Sequence, residues 1–324
     1  MRWYVFPCVL AIAFASGCPR NDDDDKDEST SSSGSGAWIV GDDATMLRVA
    51  GVSVSDGYDL DTEADLLAIA CKGQASAFVV GTAGTLLATH DRGETWRAVQ
   101  LDTHAVLRAV ATAPMSQVVY VAGDTGAVMR SNDLAESFQR VESPVHDYVG
   151  IALDDAGTTA FLLAGDGTIV RHDSDGSEPV RTDRGSNLRA IAASGDGRIV
   201  VAVGDGGTML LSDNSGGSWT AVSTTTARDL HAVRLLDGGE RILAIGDAGV
   251  LVDIDPSGAA VTELLENDSV LHGMHIDANG HGFLVGSDGI VLASHDAGRT
   301  WEALHSGTKA ALFGIDVPGA AHPH

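Results

Sequence analysis

Short apolar runs interrupted by glycine- and aspartate-rich turns recur along the chain from Trp38 almost to its end. The seven repeats are WIVGDDATML (38–47), FVVGTAGTLL (78–87), VYVAGDTGAVM (119–129), FLLAGDGTIV (161–170), VVAVGDGGTML (200–210), ILAIGDAGVLV (242–252) and FLVGSDGIVL (283–292). The small turn residues, Ala44, Gly84, Gly126, Gly167, Gly207, Gly249 and Gly289, follow one another at steps of 40, 42, 41, 40, 42 and 40. A period near 40 residues with several short strands per unit is typical of a β-propeller blade.

Four strands are predicted in each unit. An inner strand such as LRAVAT (107–112) comes first, the two strands flanking the turn follow, and a strand such as WRAVQL (96–101) ends the unit. Glycine suits the turn because a tight hairpin needs residues with positive φ. No segment has a sustained helical period, so the pattern predicts an all-β chain, a seven-bladed β-propeller with four antiparallel strands per blade.

The two ends of the repeat region predict how the ring closes. The first unit has its turn hairpin at 38–49 but no inner strand before it. At the other end, ALFGIDV (311–317) matches the inner strands LRAV (107–110), LRAI (188–191), LHAV (230–233) and LHGM (271–274). We therefore expect the last strand to complete blade one, which removes the exposed sheet edges of an open ring. The propeller is predicted to span 37–318, followed by a tail at 319–324.

The first 36 residues predict export and attachment. Residues 1–18 have a basic start, an apolar stretch and small residues directly before Cys18, an arrangement that resembles a bacterial lipobox. A transmembrane helix is the alternative, but the apolar stretch is shorter than the roughly 20 residues that span a bilayer, and it contains Pro7. Residues 19–36, acidic and then Ser/Gly-rich, predict a disordered tether. We expect a lipid on Cys18 and an extracytoplasmic location in the cell envelope, at the outer membrane or cell surface of a Gram-negative source.

The formal net charge of −25 argues against partners that are themselves polyanions. Such a charge repels nucleic acid and anionic lipid headgroups, and no basic cluster interrupts it. We therefore expect no nucleic-acid partner, and contact with the membrane only through the lipid on Cys18. Cys71 is the single cysteine after the lipobox, and the apolar run at 66–71 predicts a buried thiol without a disulfide.

A more specific motif joins the third and fourth predicted strands of three blades. Its form, S/T-x-D-x-G-x-T/S-W, is the Asp-box of bacterial neuraminidase repeats; it lies at 89–96, 212–219 and 294–301, with a degenerate copy at 131–138. Its defining residues are Asp91, Trp96, Asn214 (in place of the aspartate), Trp219, Asp296 and Trp301. A carboxylate that accepts backbone N–H groups and a ring anchored between sheets both hold a hairpin in place. Recurrence at a hairpin therefore predicts a structural role for these residues.

Repeats of the form VGDxGTLLxSxDGGxTW, each preceded by an LRAV-type strand, resemble the propellers of the photosystem II assembly-factor family. The resemblance covers residues 38–317. It implies a non-enzymatic seven-bladed scaffold that binds a protein client or peptide, here in the assembly of an envelope complex. Because bacterial relatives occur outside photosynthesis, the resemblance implies the fold and the scaffold character and not a photosynthetic role.

An Asp-box glycoside hydrolase of the sialidase kind, or a glycan-binding module, is the alternative function. A sialidase needs an arginine cluster, a tyrosine nucleophile with a glutamate partner, and an aspartate acid/base. After the lipobox only Tyr58, Tyr120 and Tyr148 remain, no Arg-Ile-Pro motif lies near the first blade, and no G-x-S-x-G motif occurs. The sequence therefore predicts no enzyme activity, no catalytic residue and no cofactor, and it leaves a glycan open as a partner.

A binding site is predicted where the inner strands meet the mouth of the central channel. The second residues of the inner-strand motifs, Leu67, Arg108, Val149, Arg189, His231, His272 and Phe313, follow one another at steps of 41, 41, 40, 42, 41 and 41. This spacing places them at one height around the axis. Arg108, Arg189, His231, His272 and Phe313 are candidates for a ring that grips a carboxylate or an acidic peptide segment.

Simpler roles for these residues stay open. The arginines would fill a hydrated channel if they pair with turn carboxylates, of which Asp124, Asp166, Asp205 and Asp247 lie on the same face. The two histidines supply fewer than the three or four ligands that zinc needs, so no metal site is predicted. The acidic stretch of Asp56, Asp59, Asp61, Glu63 and Asp65 lacks the glycine and bidentate glutamate of a calcium loop, so we expect a solvated loop.

Overall fold

The computed structural model describes residues 36–319, apart from positions 52, 56–57, 59, 182–186, 256–257 and 266–267. The predicted lipobox with Cys18, residues 19–35 of the predicted tether and residues 320–324 of the predicted tail lie outside this part. All regular structure within it is β-strand or short 3-10 turn. Over the described residues there is accordingly no helix with the length and apolarity to cross a membrane.

Seven antiparallel sheets of four strands form the seven blades, which confirms the predicted architecture. Blade one begins with β1 (Ala37–Gly41), β2 (Met46–Ala50) and β3 (Ser53–Ser55). Blade two contains β4 (Leu66–Lys72), β5 (Ser76–Gly81), β6 (Leu86–Thr89) and β7 (Arg97–Ala98). Blade three contains β8 (Leu107–Thr112), β9 (Val119–Gly123), β10 (Val128–Ser131) and β11 (Gln139–Arg140).

The remaining blades repeat this order. Blade four contains β12 (Tyr148–Leu153), β13 (Ala160–Ala164), β14 (Thr168–Asp173) and β15 (Gly176–Arg181). Blade five contains β16 (Leu188–Ala193), β17 (Val200–Gly204), β18 (Met209–Ser212) and β19 (Thr220–Ala221). Blade six contains β20 (Leu230–Leu236), β21 (Arg241–Gly246), β22 (Val250–Ile254) and β23 (Ala260–Leu264). Blade seven contains β24 (Leu271–Ile276), β25 (Gly282–Gly286), β26 (Val291–Ser294) and β27 (Glu302–Leu304), and β28 (Leu312–Asp316) follows.

The last strand, β28, is the inner strand of blade one, which confirms the predicted closure. It pairs antiparallel with β1, with Ile315 opposite Ile39. Leu312, Ile315 and Val317 are buried in one cluster with apolar residues of blades one and seven. The first and last strands of the propeller therefore share one sheet and one core.

The closing strand also carries a buried aspartate that contacts both neighbouring blades. Oδ1 of Asp316 lies 2.7 Å from Nδ1 of His275 in blade seven, and its Oδ2 accepts the backbone N–H of Cys71 in blade two at 2.7 Å. Asp316, His275 and Cys71 are all buried, the last as predicted. Burial opposes ionisation of Asp316, but His275, Arg234 and the Cys71 N–H together lower its pKa to about 2. One carboxylate thus ties three consecutive blades together.

Tight turns join the second and third strands of the blades on one face. Five are 3-10 turns, at Thr82–Gly84, Asp124–Gly126, Asp205–Gly207, Asp247–Gly249 and Ser287–Gly289, and a sixth at Asp237–Gly239 joins β20 to β21 on the other face. In each of the five, two successive residues have positive φ, as in Thr125 (57°) and Gly126 (71°). We call the face with the five turns the Gly-Asp face and the opposite one, which carries the Asp-boxes, the Asp-box face.

Candidate functional site

A β-bulge marks the second residue of every inner strand. In blade three, Leu107 pairs with Gly123 and Ala109 with Ala122, so Arg108 is left unpaired in the ladder. The same register shift occurs in the other six blades, where the extra residues are Leu67, Val149, Arg189, His231, His272 and Phe313. A bulge re-aims the side chain of its extra residue. The seven predicted ring positions therefore share one place in the fold, at the start of the inner strands on the Gly-Asp face.

The residues on either side of each bulge explain why the chain tolerates it. A large apolar residue precedes the bulge and is buried, as Leu107 and Leu271 are, so the strand is anchored in the core. Alanine or glycine follows the bulge, where neighbouring inner strands approach closely. A Cβ on Gly273 would lie 2.7 Å from the carbonyl oxygen of Phe313, so a larger residue there would displace backbone.

Both arginines of the ring are held by carboxylates of the Gly-Asp face. Nε and Nη2 of Arg108 lie 2.6 and 3.1 Å from the two carboxylate oxygens of Asp124, and this hydrogen-bonded pairing raises the pKa of the guanidinium. Nε of Arg189 lies 2.5 Å from Oδ1 of Asp205, and its Nη2 lies 3.2 Å from Oδ2 of Asp229. The arginine side chains nevertheless remain 43% and 41% exposed, so a ligand in solvent can reach them.

The other three members of the candidate ring contact one another. The rings of His231 and His272 are 5.6 Å apart, and those of His272 and Phe313 are 5.3 Å apart. Nε2 of His231 also lies 2.7 Å from Oδ1 of Asp247. Burial, and secondarily the neighbouring His231, lowers the pKa of His272 to about 4, so this imidazole is neutral near neutral pH. Blades six, seven and one therefore present an aromatic arc made of His231, His272 and Phe313.

The turn of blade four has five residues, as the others do, but its Gly-Asp sequence comes one place later, which changes the position of Asp166. Ala164 pairs with Tyr148 where Gly123 pairs with Leu107 in blade three, so Gly165 occupies the position of Asp124. Asp166 lies instead beside His146, with 3.1 Å between Oδ2 and Nδ1. Of the turn aspartates named from the sequence, Asp124 and Asp205 are therefore paired with ring arginines, whereas Asp166 is paired with His146.

Three aspartates directly before inner strands link neighbouring blades, a role that the sequence pattern did not indicate. Oδ1 of each accepts a backbone N–H from the turn of the preceding blade: Asp65 from Asp43 (3.1 Å), Asp147 from Thr125 (2.8 Å) and Asp229 from Gly206 (2.9 Å). We call them the capping aspartates. The available signal is an aspartate before the inner-strand motif, in DLLA (65–68), DYVG (147–150) and DLHA (229–232).

The central channel, of about 330 Å³, begins beneath the ring. Its walls are mainly small and branched apolar residues of the inner strands, such as Ala190, Val110 and Ile151. Of the seven ring residues, Leu67 and Phe313 line this cavity. A ligand on the Gly-Asp face would therefore meet charged pairs at the rim and an apolar opening beside Phe313.

The Asp-box carboxylates are engaged within their own hairpins. Asp91 accepts hydrogen bonds from the Thr89 hydroxyl at 2.7 Å and from the Thr95 backbone N–H at 3.0 Å. Asp133 and Asp296 repeat this pattern, and Oδ1 of Asn214 replaces it in blade five. The hydrogen bonds, chiefly those from Thr95, Ser137 and Thr300, lower the pKa of the three carboxyl groups to about 2. A carboxyl group with such a pKa carries no proton to donate near neutral pH.

The Asp-box tryptophans pack against the preceding blade. Trp96 meets Trp38 of blade one edge to face, with 5.4 Å between ring centroids. Trp219 packs with the cluster that contains Phe161 of blade four, and Trp301 packs with the cluster that contains Leu243 of blade six. The boxes thus hold the blades to one another on the face opposite the ring.

Metal ligation finds no support in the described part of the chain, where no three His, Cys, Asp or Glu residues are grouped to hold an ion. In the acidic stretch before blade two, Asp56 and Asp59 lie outside the described residues. Asp65 is turned toward blade one as a capping aspartate.

Comparison with known proteins bears on the same repeats. Residues 47–176 match the family model of the photosynthesis system II assembly factor YCF48. This span is less than half of the chain. Among curated proteins, none matches.

Three solved propellers are similar to the chain in structure. YCF48 bound to D1 peptide has 18% sequence identity and a TM-score of 0.67, over 81% of this chain and 89% of that one. YCF48 from Cyanidioschyzon merolae has 16% identity and a TM-score of 0.61, over 80% and 97%. The WD40 β-propeller domain of Doa1 has 12% identity and a TM-score of 0.68, over 87% and 90%. At these identities the similarity shows the fold, which families of different function share.

Proposed function

We propose that the chain is a non-catalytic propeller scaffold whose Gly-Asp face binds a segment of a protein client, in the assembly of an envelope complex. The observation that carries this proposal is the bulge in all seven inner strands. It takes seven side chains out of the ordinary alternation of the sheets and presents them together around the channel mouth. Ligands of propellers and other closed β-architectures meet such a mouth.

The chemistry of the ring suits a polypeptide segment. The carboxylate pairs account for Nε and Nη2 of Arg108 and Arg189, and each guanidinium has further N–H donors that can reach backbone carbonyl groups of a client. The aromatic arc and the apolar opening beside Phe313 offer contact area to a side chain. Charged rim, aromatic arc and apolar opening occur together only at this mouth among the surfaces described above.

The comparisons support a protein client from a second direction. The family model over residues 47–176 describes an assembly factor, and one similar structure is a propeller bound to a peptide. The engagement of the Asp-box carboxylates in hairpins supports a scaffold over a hydrolase. The photosynthetic client of that relative is not transferred to this chain.

A photo-crosslinking comparison between the two faces tests the client surface. A photoreactive amino acid at Val149, between the two ring arginines, is expected to capture a defined client in living cells, whereas the same group at Glu94 on the Asp-box face is not. Replacing both Arg108 and Arg189 with Ala should reduce the Val149 product about tenfold or more, because charged hydrogen bonds are lost. The proposal would be contradicted by equal yields of crosslinked client from Val149 and Glu94. It would also be contradicted if the yield from Val149 were unchanged when Arg108 and Arg189 are replaced.

The proposed attachment is a lipid on Cys18, and Cys18→Ser tests it. Two or more acyl chains give stable anchoring, so the parent should sediment with membranes and the variant should appear in the soluble extracytoplasmic fraction. Cys71→Ser is the matched control, because that buried thiol lies within blade two and its replacement should leave fractionation unchanged. If Cys18→Ser stayed on membranes after a salt wash, lipid anchoring would be refuted. That result would not bear on the proposed client surface.

A further inference from the structure

Blades three and five each hold a ring arginine beside two aspartates in equivalent positions. One is the turn aspartate of the same blade, and the other is the capping aspartate of the next blade. Arg108 is hydrogen-bonded to the turn aspartate Asp124, and the capping Asp147 adds to the attraction. Arg189 is hydrogen-bonded to both members of its pair, Asp205 and Asp229. In blade five both carboxylates thus bind the guanidinium group, and in blade three the turn aspartate binds it while the capping aspartate adds attraction.

Blade one has the same pair of carboxylates without an arginine. Asp42 donates its backbone N–H to Ala311 as Asp124 does to Val106, which fixes it as the turn aspartate. Asp65 accepts the N–H of Asp43 as Asp147 accepts that of Thr125, which fixes it as the capping aspartate. The bulged residue of this blade is Phe313. The other four blades lack one or both aspartates, so blade one alone combines a complete pair with an uncharged ring residue.

The carboxylates of blade one are not neutralised by the described part of the chain. No ion pair joins Asp42, Asp43 or Asp65 to a basic residue there, in contrast to Asp124, Asp205 and Asp229. Burial raises the pKa of Asp42, and its neighbours Asp65 and Asp43 raise it further. A cation brought to this place would relieve repulsion that the equivalent arginines relieve in blades three and five.

We infer that Asp42 and Asp65 bind the guanidinium group of an arginine side chain of the client. The two aspartates occupy the positions of the carboxylates beside Arg108 and Arg189, and Phe313 at the equivalent ring position offers an aromatic face to the alkyl part and the guanidinium. The inference rests on the proposed client surface and specifies what the client presents there. The sequence predicted that the ring grips a carboxylate or an acidic segment. At blade one we infer the opposite, a contact with a basic residue of the client.

The pairing is first tested within the chain. Phe313→Arg places a guanidinium between Asp42 and Asp65, so it should melt about 1–3 °C higher than Phe313→Gln, which has no charge. This advantage should vanish when Asp42 and Asp65 are both changed to Asn. Leu67→Arg and Leu67→Gln form the matched control, because blade two has Thr82 and Val106 in the equivalent positions and should show no advantage. An equal gain at both sites, or none at Phe313, would overturn the assignment of the pair.

Recognition of a client is tested with a displayed library of random heptapeptides selected on the whole chain. Arginine-containing peptides should be enriched on the parent, and the Asp42→Asn/Asp65→Asn variant should weaken the best of them about tenfold or more. Replacing that arginine with citrulline should cause a similar loss. Glu94→Gln/Asp213→Asn removes the same charge from the Asp-box face and should change little, which separates site binding from attraction to a net charge of −25.

The outcomes separate the two proposals. Some peptides could slow hydrogen exchange on the Gly-Asp face without needing an arginine, or could bind equally well to the parent and to the Asp42→Asn/Asp65→Asn variant. Either result would overturn the arginine site but would not contradict the proposed client surface. A lack of any peptide that binds the Gly-Asp face would overturn both. Loss of binding in Phe313→Arg, with folding retained, would add support, because the internal guanidinium then occupies the place of the client's arginine.

Discussion

Deletion of residues 308–324 is expected to abolish cooperative folding of the propeller. The deletion removes β28 and with it the buried side chains of Leu312, Ile315 and Val317. Burial of each such side chain contributes about 1.5–3 kcal/mol, so the sum approaches the roughly 5–15 kcal/mol by which a domain is stable. The backbone of β1 would also lose its inner partner and become an open edge.

Thermal unfolding followed by circular dichroism measures this effect. Deletion of residues 320–324 alone is the matched control and should melt like the parent. A synthetic peptide of residues 308–324 added to the truncated chain should restore a cooperative transition, because it can supply the missing strand. A truncated chain that unfolds at the parent's temperature would show that blade one does not depend on its C-terminal strand.

Asp316→Asn is expected to cost about 2–3 kcal/mol, because a carboxyl pKa lowered to about 2 in the folded protein corresponds to a stabilisation of this size at neutral pH. The substitution keeps the shape of the side chain but leaves His275 without its carboxylate at the closure of the ring. Asp213→Asn, at an exposed position on the Asp-box face, should leave the free energy of unfolding within a few tenths of a kcal/mol.

The pH dependence of that loss identifies its cause. Because the pKa of Asp316 in the folded protein is about 2, below its value in the unfolded chain, the stabilisation is present at neutral pH. It is lost as the pH falls from about 5 toward 2, where the parent's carboxylate becomes protonated. The stabilities of parent and Asp316→Asn should therefore converge in acid. A constant difference across this range would show that the substitution acts through packing.

The ring closure is visible in the sequence because inner strands follow one pattern. LFGI at residues 312–315 has the buried leucine, variable second residue and small third residue of LRAI at 188–191. Repetition of this kind exposes a fold even where a single strand would be ambiguous. The same spacing correctly predicts that Arg108, Arg189 and Phe313 are equivalent, since each is the extra residue of a bulge.

The bulges, and the hydrogen bonds that aspartates make around the ring, could not be predicted in the same way. A bulge depends on which residues oppose one another across two strands, and residue spacing along one strand does not reveal this register. The letters Gly-Asp-Gly suggest that Asp166 matches Asp124, but the strand pairing puts Ala164 in the place of Gly123, so Asp166 lies one place later in a turn of equal length. The capping role of Asp65 depends on a contact between blades, and within its own acidic stretch it resembles part of a solvated loop.

We propose that a client segment binds on the Gly-Asp face through the bulged ring. Hydrogen exchange measured with and without the tightest heptapeptide tests it most directly, because an extra residue of a bulge has no ladder partner and its amide reports a new contact. We expect slower exchange at 107–109, 188–190 and 312–314 and in the turn at 41–45, with exchange in the Asp-box hairpins at 89–96 and 294–301 unchanged. Protection of the Asp-box hairpins with an unchanged ring would contradict it.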